Sequence, residues 1–199
     1  MSKPITSLAI MTLLERGLFS LDDPVHRFIP AWRDLRVWRG GSLPLFDTER
    51  PQRVMTIRDL LMHTSGLTYD FLRATNIDYA YRKLQVGLVR PGYTLQDMVD
   101  QLAQLPLEFS PGERWNYSLS TDVLGYLIEV ISGMSLPQYL RQVIFEPLGM
   151  HDTSFSIEPD KVDRFASCYQ RNLRKEMELS DDGQNSEFAN RTFYSGGGG

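Results

Sequence analysis

The chain has 199 residues, 42% hydrophobic and 23% charged, with 21 basic and 25 acidic residues interspersed for a net charge of −4. Such a composition suits an ordinary globular protein, and it carries no basic stripe of the kind that nucleic-acid binding requires. No apolar run nears the roughly 20 residues of a membrane span, and the N-terminal residues lack the basic-then-apolar pattern of a secretion signal, so a soluble chain without a nucleic-acid partner is expected, the cytoplasm favoured over the periplasm.

Taken in order, Ile5, Leu8, Ala9, Thr12 and Leu13 fall at helical spacing, with Pro4 suited to the first turn and Gly17 to a left-handed stop. DDPVHRFIP reads as a turn or short helix, and Trp32 to Pro51, with two glycines and Pro44, as an irregular loop. Thr56 and Asp59 form a capping-box pattern ahead of a short helix, TIRDLLMH, that should end near Gly66. Thr94 and Asp97 repeat the pattern, and Leu95, Met98, Val99, Leu102 and Leu105 then lie on one face of a helix closed by Pro106. STDVLGYLIEVISG and SLPQYLRQVIFEPLG are two further helices, each opening on serine and closing at glycine. Beyond Asp152, TSFSI and RFASCYQR alternate as strands do, while EMELSDDGQNSEFAN is polar and reads as loop. The expected class is α+β, with a helical lobe over 1–150 and a β-rich tail over 151–199.

The lone Cys168 cannot close an internal disulfide and reads as a small buried or half-buried hydrophobe. His26 and His151 lack partners at zinc-ligand spacing, so no metal is expected, nor any organic cofactor. His63, at a helix C-terminus, suits the exposed carbonyls there and reads as structural. The loop-borne aromatics Trp38, Tyr69 and Phe71 are candidates for an apolar cleft wall, whereas Trp32, Trp115 and Tyr79 read as packing.

Lys3 is out of place at a helix head, where the macrodipole makes a cation unfavourable by about 0.3–1 kcal/mol. A frayed end is one explanation. The other is a Ser-x-x-Lys pair, in which a serine one turn earlier shares the face of the lysine, whose amine can take the hydroxyl proton. Lysine and tyrosine both titrate near 10 when unperturbed, so such chemistry at neutral pH needs mutual contact and burial.

The runs MSKPITSLAIMTLLERGLFSLDDPV, MTIRDLLMHTSGLTY, FSPGERWNYSLSTDVLGYLIEVISGMSLPQYL, IFEPLGMHDTSF and FYSGGGG together resemble the serine β-lactamase-related family, most closely its class-C-like branch of family VIII carboxylesterases. The resemblance covers nearly the whole chain. It implies a β-lactamase/transpeptidase-like parent fold, of which this chain is mostly the helical lobe. It maps Lys3 onto the catalytic lysine and Tyr117, in YSLS, onto the tyrosine paired with it, and sets the nucleophilic serine immediately before Met1. On this basis the chain is an internal fragment lacking the nucleophile and the C-terminal sheet, and is inactive alone. Ser2 is a cleft-lining or capping candidate, Ser7 is packing, Ser118 offers a hydroxyl to substrate, and Ser120 caps the next helix. Where β-lactamases and penicillin-binding proteins carry Asn two residues after the tyrosine, this chain has Leu119; the departure favours a less polar ester over an acylamide-bearing lactam. The implied activity is acyl transfer from an ester or lactam to water. The alternatives are a β-lactamase or D,D-peptidase, and a non-catalytic binding or scaffolding member of the fold.

Overall fold

The computed structural model describes residues 2–88, 90, 92–186, 189 and 193–198. Met1, part of the loop expected over EMELSDDGQNSEFAN (Glu187, Phe188 and Asn190) and the final glycine of SGGGG lie outside the described residues.

Helix α1 runs Ser2–Glu15, and Gly17 follows with the positive φ of +69° that the stop requires. Its buried face is Thr6, Ala9, Ile10 and Leu13, rotated from the stripe expected from sequence, and Leu8 is 49% exposed. The cause is polar: the Thr6 hydroxyl donates to the Gly196 carbonyl at 2.7 Å, so this threonine can be buried with its hydrogen bond made. Two 3-10 turns follow at Val25–Arg27 and Pro30–Trp32, the second seating Trp32 in the core with its indole N–H on the Val99 carbonyl.

The stretch expected as irregular loop contains an antiparallel hairpin, β1 (Val37–Ser42) and β2 (Leu45–Glu49). Its glycines belong to the hairpin. Gly41 has φ +77°, and a Cβ there would lie 2.6 Å from the Leu45 carbonyl oxygen. The Trp38 and Leu107 amides tie this hairpin to the body through the Leu107 and Arg36 carbonyls.

Helices α2 (Ile57–Met62) and, further along, Leu95–Leu102 open on the expected threonine–aspartate boxes, with both reciprocal bonds made. The same box at Thr75 and Asp78 opens α3 (Asn76–Leu84), an element absent from the sequence-based assignment; Leu95–Leu102 is therefore α4. Helix α2 stops at His63, itself left-handed at φ +55°, rather than at Gly66. Helix α5 (Ser120–Ser132) lies at the centre, packed on α1, α2, α4 and α6 (Leu136–Leu140), with Val123, Leu124, Leu127 and Ile128 fully buried. Ser120 does not cap it. The cap position is Leu119, and the Ser120 hydroxyl bonds Ser65 and Ser118 instead.

A second hairpin pairs β3 (Cys168–Arg171) with β4 (Met177–Asp181). The expectation of loop over EMELSD is thus corrected, TSFSI forms no extended strand, and Cys168 is exposed. Residues of β4 are exposed on both faces except at its end, so no burial alternation marks them as a strand.

Gly66 combines φ +86° with a Cβ position that would collide with the Phe109 carbonyl oxygen. Gly66→Ala should therefore cost about 1–3 kcal/mol, read as a lowered urea midpoint. Gly17→Ala, left-handed but with open space around it, should cost less.

Candidate active site

The head of α1 docks on the glycine-rich segment near the other end of the chain. Ser2 Oγ donates to the Gly198 carbonyl at 3.0 Å, Lys3 Nζ to Gly197 at 2.5 Å and Thr6 Oγ1 to Gly196 at 2.7 Å. Three side chains of one helical face thus meet three successive carbonyls. The approach excludes side chains on the partner: a Cβ at Gly196 would lie 2.5 Å from the Thr121 carbonyl oxygen, and one at Gly197 2.5 Å from Asp122 Oδ2. Lys3 is half-buried, not frayed.

Its amine lies 4.7 Å from the ring centre of Tyr117 and 5.6 Å from that of Tyr69, within cation–π range of both. Tyr117 is brought there by a backbone rail. The segment His63–Thr68 accepts, through the carbonyls of His63, Thr64, Gly66 and Thr68, the amides of Asn116, Gly112, Glu108 and Leu119. Asn116 adds a side-chain bond to the Leu67 carbonyl at 3.0 Å. HTSGL thereby fixes the height and direction of the chain that carries Tyr117.

Around Tyr117 the aromatic rings gather. Tyr69 lies 5.0 Å from it and stacks on Phe71 at 4.7 Å, and Trp115 stacks on its other side at 6.4 Å. Phe71 and Trp115 are 56% and 65% exposed, so they present open apolar surface. Trp115, which reads as packing from sequence, instead stacks on Tyr117, a contact that depends on the rail and that spacing does not reveal. Trp38 sits apart on β1, its indole N–H on the Gly41 carbonyl, and makes no ring contact with this group among the described residues. Leu119 is buried against Gly87 in the core. Ser118 is also fully buried, its hydroxyl between His63 Nδ1 at 3.2 Å and Ser120 Oγ at 2.8 Å. Neither is placed as cleft surface, contrary to expectation.

His63 ends α2 through its backbone, while its imidazole, expected beside the helix carbonyls, bonds Ser118 and lies 5.2 Å from the ring of Tyr117. Burial, and then the nearby Lys3 charge, hold its imidazole below the usual range. On the far side, Asp122 in the first turn of α5 accepts from Ser195 Oγ, from the Gly197 amide at 3.0 Å and from the Tyr69 hydroxyl at 3.4 Å. Burial pushes this carboxyl up, opposed by Ser195, the Gly197 amide and Lys3. Among the described residues no group of acids, histidines and cysteines is arranged to hold a metal ion, and no helix is long and apolar enough to cross a membrane.

The family model described as Beta-lactamase matches residues 1–199. The chain belongs to the β-lactamase family. The esterase EstB of Burkholderia gladioli is 36% identical over 181 residues, covering 90% of this chain and 43% of that protein. Penicillin-binding protein 4* of Bacillus subtilis is 31% identical over 188 residues, 92% of this chain and 36% of that one. The solved structure of EstCE1, a hydrolase with promiscuous acyltransferase activity, superposes with a TM-score of 0.73 at 34% identity, over 91% of this chain and 44% of its own. The chain thus spans about two fifths of the length of these relatives, and its fold is the α+β fold of the β-lactamase family.

In this family member a wide groove of about 470 Å³ also runs between α6 and residues 150–165, but it shares no lining residue with the Lys3–Tyr117 site. Nearer the site, Glu108 lies under the rail. It accepts from Thr75 Oγ1 at 2.5 Å and Asn116 Nδ2 at 3.4 Å. Burial, with the Asp78 carboxyl beside it and against the Thr75 bond, raises its pKa to about 7. A carboxyl raised above its unfolded value of 4.5 stabilises the fold below that value and loses the contribution as pH rises through about 7. Melting temperature should therefore fall between pH 5 and 8, and Glu108→Gln should flatten that fall.

Proposed function

We propose that the protein containing this chain is a serine hydrolase of the carboxylesterase kind. The observation that carries the reading is the Lys3 amine, held by the Gly197 carbonyl and over the Tyr117 ring, in a helix that the family resemblance reads as the Ser-x-x-Lys helix, with its serine one turn before Lys3. That serine attacks the ester carbonyl carbon while its proton passes to the Lys3–Tyr117 pair, and backbone amides hold the oxyanion. As the C–O bond breaks, the pair returns the proton to the departing alkoxide. Water then attacks the acyl-serine, giving its proton to the same pair, and the serine oxygen leaves with that proton restored. No metal or organic cofactor is required by these steps. By the same reading, the chain without that serine gives no turnover.

Tyr69, Phe71, Tyr117 and Trp115 offer an aromatic wall to an apolar acyl or alcohol group, with Ser2 at the α1 edge of the cleft. Leu119, turned into the core, supplies no amide for an acylamide side chain, which supports an ester over a lactam substrate. The esterase EstB among the relatives supports the same choice.

With p-nitrophenyl butyrate and the full-length protein, Lys3→Ala and Tyr117→Phe should each lower kcat about 10²- to 10⁴-fold, with little change in KM. Turnover of a chromogenic cephalosporin should be far slower than that of the ester. Unaltered ester turnover in both variants would sink the assignment.

A further inference from the structure

Asp122 is 2% exposed and is not one of the residues that reach substrate in the steps above. Its surroundings are specific. Ser195 Oγ accepts the amides of Gly197 at 3.2 Å and Gly198 at 2.5 Å, which leaves its proton to point at Asp122 Oδ1. The Gly197 amide donates to the same oxygen at 3.0 Å, and the Tyr69 hydroxyl to Oδ2 at 3.4 Å. Burial, first of all, holds Tyr69 above the usual tyrosine range, so it keeps its proton and donates. Every partner of the carboxyl is a donor, the arrangement an ionised carboxylate takes.

Two of these donors belong to the groups that hold Lys3. The peptide carrying the Gly197 N–H is followed by the carbonyl that receives the Lys3 amine, and the Tyr69 ring lies 5.6 Å from that amine. We infer that Asp122 is a positioning residue for the Lys3–Tyr117 site: by fixing Gly197 and Tyr69 together, it sets where the amine sits and places a carboxylate behind the segment that holds it. The inference rests on the serine hydrolase reading. Among the described residues, the titratable groups set against Lys3 are His63 at the end of α2, Tyr69 and Tyr117 on the rail and loop, and Asp122 on α5, which is the carboxylate of this set. It also accounts for glycine at 197, where any Cβ would strike Asp122 Oδ2 at 2.5 Å.

The test uses the full-length protein and p-nitrophenyl butyrate, with a fluorophosphonate probe reporting the reactive serine. Asp122→Asn keeps the shape and removes the charge. It should lower kcat about 10- to 100-fold while KM stays near wild type. The acidic limb of the kcat/KM profile should move to lower pH, because a base beside one fewer negative charge releases its proton more readily. Gly197→Ala keeps the charge but displaces the segment, and should lower kcat without moving the limb. A purely structural Asp122 would lower the melting temperature and leave the limb in place, which overturns the inference. So does wild-type kcat in Asp122→Asn or, if that variant does not fold, in Gly197→Ala. These failures count where Lys3→Ala abolishes both turnover and labelling. If Lys3→Ala retains both, the hydrolase reading fails first, and this inference with it.

Discussion

The buried first turn of α5 is the constraint around which the site is arranged. Ser120, Thr121 and Asp122 are each no more than 3% exposed, and a helix head carries backbone amides with no partner inside the helix. Polar groups so placed must find partners in protein, because an unsatisfied one costs about 1–3 kcal/mol. They find them in segments far away in sequence. Ser120 bonds Ser65, the Leu119 amide bonds the Thr68 carbonyl, and Asp122 binds Ser195 and the Gly197 amide. Among the described residues no buried side-chain polar atom lacks a partner. Satisfying this one turn therefore brings the HTSGL rail and the glycine-rich segment to the same place.

The position of Lys3 follows from that arrangement. Alone at a helix head, with no acid in the first turn, it would oppose the macrodipole by about 0.3–1 kcal/mol. A hydrogen bond from a charged donor contributes about 1.5–3 kcal/mol, and the Gly197 carbonyl provides one at 2.5 Å. The attraction outweighs the repulsion, and the Tyr117 and Tyr69 rings add to it. Glycine on the accepting segment is what permits the contact: α1 can reach the carbonyls of residues 196–198 because that segment lies directly on the α5 backbone, where Gly125 also lacks a side chain.

What was legible in the sequence was local. The boxes at Thr56 and Thr94 bind within three residues, so residue type and spacing suffice to find them, and the Thr75 box was present in the same form. The apolar stripe of α4 was legible for the same reason. Strand β3 was legible within RFASCYQR, but its partner and the first hairpin were not, since Gly41 serves a strand turn with the residue type that a loop would use, and β4 lies exposed. The α1 stripe shifted because Thr6 is buried by a carbonyl 190 residues away. Lys3 and Tyr117 could be named from motif, but Asp122 and Trp115 could not. Their roles arise from contacts with the glycine segment and with Tyr117, which only the fold creates.

Leu119 is held by the same constraint. It stands between the rail and α5, its amide on the Thr68 carbonyl and its side chain on Gly87. An amide side chain in that place would need two donors and an acceptor satisfied, whereas the surroundings are apolar core. A leucine there joins the buried cluster against which Tyr117 packs. The face left toward Lys3 is then aromatic, formed by Tyr69, Phe71, Tyr117 and Trp115. Such a surface rewards apolar area and offers few fixed hydrogen bonds, so under the proposed function it would sort acyl groups by size and shape more than by polarity. On the proposed hydrolase reading, selectivity would be set at Phe71 and Trp115, and the proton chemistry beneath them by residues that α1 and α5 position.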